Sequence, residues 1–189
     1  ARSYQSALKR MVIAIDLGPA ARFESGLLAT QYGGSVGAPA YAPPEGHVGL
    51  AGNRTLAPFT DAWALGCMLF ELFNPELFAR AWFAVNPQLQ VRLGAMAGIV
   101  AGTSDQVGQV AKWKEALARF GKGVTPVAID GAGSWVPRGI APLLNELLAA
   151  LTNFDYRSRD PGRGWVSQRV QTAIGVLQNE ADYARRLQL

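Results

Sequence analysis

Residues 61–73, Asp-Ala-Trp-Ala-Leu-Gly-Cys-Met-Leu-Phe-Glu-Leu-Phe, constrain the fold more than any other stretch. Thr60 or Asp61 is a good N-cap, and Trp63, Leu65, Met68, Leu69, Leu72 and Phe73 follow at helical spacing. The helix so predicted is apolar nearly all round. Such a helix is expected to be the most buried one, with Trp63 and Leu69 at the centre of the core, and a surface position with an exposed face would overturn any reading that makes it the central helix. Pro75 ends it.

The pattern on either side is uneven. Residues 1–10 are polar and mixed, a fraying end or the tail of a hairpin. Met11 to Ile15 is a short β-branched run that predicts a strand, and Asp16-Leu17-Gly18-Pro19 stops it with turn chemistry. Residues 19–60 are rich in Gly, Pro and Ala without a sustained period, which predicts a long loop with one helical turn near Pro44–Val48. Two helical pieces follow at 76–84 and 87–101, split by Asn86-Pro87. Ser104 or Asp105 caps a helix through Phe120, with Val107, Val110, Trp113, Leu117 and Phe120 on one side. Residues 121–139 read as a loop with an apolar patch at Val127–Ile129. Pro142 to Phe154 predicts a helix striped by Leu143, Leu144, Leu147, Leu148 and Leu151. Ser167 opens a last one carrying Val170, Ile174, Leu177, Ala181 and Leu187. The expected fold is mainly α, with one or two short strands, a long loop and five or six helices.

A chain of 189 residues, 49% apolar, suffices for one domain with a sizeable core. The net charge of +4 has no Lys/Arg run behind it, which speaks against nucleic-acid binding. Cys67 is the single cysteine and His47 the single histidine, so an internal disulfide and a multi-histidine metal site are excluded. Cys67 sits inside the apolar helix and reads as a small buried hydrophobe. The softest apolar stretch, Leu93 to Gly102, is too short and glycine-rich to span a bilayer. Without an export signal or paired cysteines, the expected location is cytoplasmic.

Four phrases then form a constellation. Val12-Ile13-Ala14-Ile15-Asp16-Leu17-Gly18 comes first, and Gly37-Ala38-Pro39-Ala40-Tyr41-Ala42-Pro43-Pro44-Glu45 second. Asp61-Ala62-Trp63-Ala64-Leu65-Gly66-Cys67 is third, and Leu151-Thr152-Asn153-Phe154-Asp155-Tyr156-Arg157-Ser158-Arg159 closes the set. Together they resemble the metal-binding Asp-Phe-Gly, the Ala-Pro-Glu end of the activation segment, the start of the central helix and the late arginine of eukaryotic-type Ser/Thr protein kinases. There are departures. Leu17 stands for Phe, Ala38 for the Thr that bonds the catalytic machinery, Pro43 for Ala, and Tyr156 for Pro.

The resemblance implies a kinase-like C-terminal lobe over 1–189. Its parts would be a strand and Asp-Leu-Gly at 1–18, an activation-type segment at 19–60 and a helical body at 61–189. Asp16 would hold Mg²⁺, and Asp16 with Gly18 would face the nucleotide. Gly37, Ala38, Pro39 and Tyr41 would belong to a substrate-docking loop. Glu45, Asp61, Trp63, Gly66 and Arg159 would hold the lobe rigid. Asp61 would cap the central helix, and Glu45 would form a buried ion pair with Arg159, with Arg157 and Arg163 as competitors. Ser25, Thr30, Tyr32 and Ser35 are candidate phosphorylation sites in the loop.

The sequence holds no glycine-rich phosphate loop, no ATP-binding Lys, no His-Arg-Asp and no second-metal Asn at family spacing. No catalytic residue is therefore expected in this chain. Mg²⁺ and ATP would belong to a complete relative, and this chain alone would use neither. Two classes of function follow: a partial protein kinase that phosphorylates protein hydroxyls once completed, or a non-catalytic pseudokinase-like scaffold. Another polypeptide is expected to cover the apolar strand around residues 11–17.

Overall fold

The computed structural model describes residues 38–129, 140–159 and 165–187. The expected strand at 11–15, Asp16, Gly18, Gly37 and the seam at residues 11–17 lie outside them. So do Ser25, Thr30, Tyr32, Ser35 and Arg163. The described residues are mainly helical and contain no strand.

A 3-10 turn at Pro39–Tyr41 leads to α1 (Pro44–His47), α2 (Pro58–Phe73), α3 (Phe78–Val85) and α4 (Leu89–Val100). Then come α5 (Gln106–Phe120), α6 (Ala141–Leu151), a second 3-10 turn at Tyr156–Ser158, and α7 (Trp165–Leu187). Gly49 and Gly102 take positive φ just past α1 and α4, where a residue without Cβ ends a helix most easily.

The start of α2 differs from expectation. It begins at Pro58, not at Thr60 or Asp61, and Ala57 in the cap position offers no side-chain bond. Proline suits the first helical turn because its φ is preset and its missing N–H has no partner there to lose. Turns wind straight into the helix: Ala57 N–H donates to the Asn53 carbonyl at 2.9 Å and Phe59 N–H to that of Leu56 at 3.0 Å. The segment before α2 is thus folded rather than open loop. Asn53 holds it down, donating to the Gln106 carbonyl at 3.0 Å and to Gln109 Oε1 at 3.1 Å on α5.

By contrast, α5 starts where its cap predicts. Asp105 accepts from Gly108 N–H at 2.7 Å. Its apolar stripe is one turn shorter than expected, since Val107 is exposed and the buried face starts at Val110. Asn86 ends α3, giving two side-chain N–H bonds to the Trp82 and Thr125 carbonyls and accepting from Thr125 N–H. Asn145 on α6 clamps the Val127–Ile129 patch, binding both the N–H and the carbonyl of Ile129.

One apolar cluster gathers Trp63 of α2, Phe78 of α3, Leu89 of α4, Trp113 of α5, Leu144 of α6 and Ala173 of α7. Trp63 meets Phe78 and Trp82 edge-on, with ring centroids 5.5 and 5.0 Å apart. The burial of α2 is not complete, however. Leu69 is only partly buried, and Leu65, Met68 and Leu72 are exposed along one stripe. No described helix is long and apolar enough to cross a membrane.

Candidate functional site

Pro43 and Pro44 fix the backbone before Glu45, so α1 begins with Pro44 at N1 and Glu45 in its first turn. Glu45 points inward. Its partner is distant in sequence: Arg159 follows the 3-10 turn after α6. Arg159 Nη1 donates to Glu45 Oε1 at 2.7 Å and Nη2 to Oε2 at 3.1 Å. Both side chains are 0% exposed. The planar fork matches the carboxylate in bidentate fashion, the strongest form such a pair takes. Arg159 Nε also donates to the Asn153 carbonyl at 2.6 Å, and Nη2 to that of Phe154 at 3.2 Å. Its guanidinium carbon lies 4.8 Å from the centre of the Trp63 ring, which closes the site from below. Arg157 does not compete, since it faces out and pairs with Asp155.

A second tie holds the segment before α1. The Tyr41 hydroxyl donates to Glu71 Oε2 at 2.8 Å, and the other oxygen of Glu71 accepts Phe78 N–H at 3.0 Å. Glu71 thus serves the first turn of α3 and the 3-10 turn together. The hydrogen bond to Glu71, and its charge, raise the Tyr41 phenol above its ordinary pKa. Nearby, the His47 ring lies 6.3 and 6.0 Å from the Trp82 and Phe83 rings, and burial lowers its pKa. Burial also pushes the Cys67 thiol up to about 12, so it is no nucleophile in the folded state.

Of the other residues singled out in the sequence, Gly66 packs where α2 crosses the end of α6. A Cβ there would lie 2.5 Å from Thr152 Cγ2 and 2.9 Å from Leu151 Cβ. Ala38 and Pro39 are exposed at the first 3-10 turn. Asp61 corrects the sequence reading. It neither caps α2 nor is buried; it lies exposed in the first helical turn, because the helix starts three residues earlier.

The structure therefore brings Glu45, Trp63 and Arg159 into one buried clasp and leaves Asp61 outside it. Sequence reasoning missed Glu71, whose signal was a lone carboxylate within an apolar helix, and the Asn153 and Phe154 carbonyls, which have no side-chain signature. Among the described residues no group of three or more His, Cys, Asp or Glu is placed to hold a metal. The clasp is a structural device. It anchors the turn before α2 to the end of α6. No protein-family model, curated protein or solved structure matches this chain.

Proposed function

We propose that the chain is the helical lobe of a Ser/Thr protein kinase-like protein, and that alone it transfers no phosphate. The observation that carries this reading is the buried bidentate pair between Glu45 and Arg159, residues 114 apart in sequence. A Pro-Pro-Glu turn is anchored by a late arginine over a tryptophan of the helix that follows, and the last three of the four phrases supply Glu45, Trp63 and Arg159 in chain order. Phosphoryl transfer relies on positioning and charge stabilisation. In a completed protein Asp16 would hold the Mg²⁺ that bridges the phosphates of ATP, the segment up to Tyr41 would dock a protein substrate, and the clasp would fix that segment to the helical body. The exposed stripe on α2 is the cost of this reading, since a central helix needs cover that the described residues do not supply.

A scaffold function is the second reading, and Ala38 favours it. With no hydroxyl there, the bond that couples this loop to a catalytic Asp cannot form. The test is incorporation of labelled phosphate from ATP into a generic protein substrate, by the isolated chain and by the full product of the gene that encodes it. The expected result is none from the isolated chain. Transfer by the completed protein that disappears with Asp16→Asn supports the enzyme; no transfer from either leaves the scaffold. Transfer by the isolated chain, lost with Asp16→Asn, would overturn the proposal.

A further inference from the structure

An apolar groove of about 390 Å³ runs between α2 and α7, with α6 as its floor. Leu65, Met68 and Leu72 form one wall, Leu147 the base, and Ile174 and Leu177 the other wall. These are not ordinary surface leucines. Leu65 is 41%, Met68 51%, Leu72 63% and Ile174 48% exposed, all on one concave face. The cause is in the packing. α6 contacts both α2 and α7, but α2 and α7 make no comparable contact with each other. Three helices thus hold three corners of a bundle, and no described helix takes the fourth.

We infer that this groove seats a single amphipathic helix from another polypeptide, with a basic residue at one end to meet Asp61. Asp61 continues the α2 stripe, because 61, 65, 68 and 72 fall on one helical face. It is exposed, and none of the ion pairs between described residues includes it. The stripe with Asp61 is about 16 Å long, so three turns of helix match it. A partner with apolar residues at i, i+4, i+7 and i+11 fills the length, and a Lys or Arg beyond them reaches the carboxylate. Met68 at the centre adapts to the shape of what enters. A second copy fits poorly. Two concave faces cannot fill one another, and a two-fold contact between these stripes would set Asp61 against Leu72. A small polar ligand finds nothing in the lining to orient it. The choice of a foreign chain rests on the kinase-lobe reading; the empty corner does not.

The probe is a fluorescent 18-residue helical peptide with leucines at positions 4, 8, 11 and 15, lysine at the end and polar residues elsewhere, followed by anisotropy. Expected is saturable binding that Met68→Glu weakens at least tenfold and Asp61→Lys several-fold. Circular dichroism should be unchanged, because both side chains are exposed. Absence of saturable binding, or binding indifferent to Met68→Glu, overturns the inference. So does a dimer in sedimentation that Met68→Glu converts to monomer, or laurate occupying the groove where the peptide does not. Phosphate transfer is read separately: its absence from the isolated chain is expected whether or not the peptide binds, so failure of the helix seat and failure of the kinase-lobe reading are told apart.

Discussion

Arg159 is held by four hydrogen bonds, two to Glu45 and two to main-chain carbonyls, and this asymmetry sets what its loss would do. Breaking a buried pair from one side costs about 3–5 kcal/mol, because the remaining charge stays desolvated. Glu45→Gln keeps the shape and one acceptor, so a loss near 3 kcal/mol is expected, at the low end of that range. Arg159→Met strands the carboxylate and orphans the Asn153 and Phe154 carbonyls, so its loss lies at the high end or beyond. Glu45→Met with Arg159→Met should recover only part, since the carbonyls remain bare. Urea melts of the three variants measure this, and a Glu45→Gln protein as stable as the parent removes the clasp as an anchor. Tyr41 gives a second prediction. Its folded pKa is raised above the ordinary 10.0 by Glu71. The protonated phenol therefore contributes stability fully below that value, and the contribution fades as pH climbs through the folded pKa. Burial raises the Tyr156 phenol as well, so ultraviolet titration should show two described phenols ionising late, and Tyr41→Phe should remove one of the two late steps. Should both late steps persist in Tyr41→Phe, the hydrogen bond to Glu71 is not the source of either.

At the scale of elements, α2 crosses the end of α6 closely enough that only glycine fits at position 66. Gly66→Ala places a methyl against Leu151 and Thr152, and overpacking of this kind costs about 1–3 kcal/mol. Thr152→Ser removes the crowding Cγ2 but keeps the hydroxyl that bonds the Leu148 carbonyl at 2.8 Å. The double variant should therefore regain part of the loss in thermal melts, and a purely additive result would show that Thr152 is not what the methyl meets. Elements with local chemical signals were legible in the sequence: the Asp105 cap of α5, the Asn86 break before α4, the leucine stripe of α6. Two were not. The start of α2 was placed late, because Thr60 and Asp61 are stronger cap formers than Ala57, and the side-chain turn at Asn53, which accepts from Thr55 N–H, leads into the helix from five residues before Pro58. The face of α2 was judged buried because composition gives the hydrophobicity of a stripe, not whether a neighbour covers it. Glu45 and Arg159 became legible as a pair through the resemblance, since nothing local links residues so far apart. The bond of Tyr41 to Glu71 was not legible, because it depends on how two turns meet.

Across the whole molecule, the main apolar cluster draws on every helix from α2 to α7, and the Ile129 patch and Tyr156 join it. No described helix from α2 onward keeps its own core. The polar ties run the same way: Asn53 links the segment before α2 to α5, Asn86 links α3 to residue 125, Asn145 links α6 to the patch, and Arg159 links the end of α6 to α1. Opening one element strips apolar surface and satisfied polar groups from the others at once, which is the condition for a single cooperative transition. Two probes test this from different places. Trp63, Trp82 and Trp113 report packing on α2, α3 and α5. Cys67 is fully buried, and its thiol stays protonated with a pKa of about 12. It should therefore resist a disulfide reagent until the fold opens, then react at the rate of a free thiol. Tryptophan fluorescence and Cys67 labelling across a urea series should give the same midpoint. If Cys67 reacts at urea concentrations where the fluorescence is still native, α2 opens by itself. The exposed stripe of Leu65, Met68 and Leu72 would then mark a loosely held helix and not a face built to receive another.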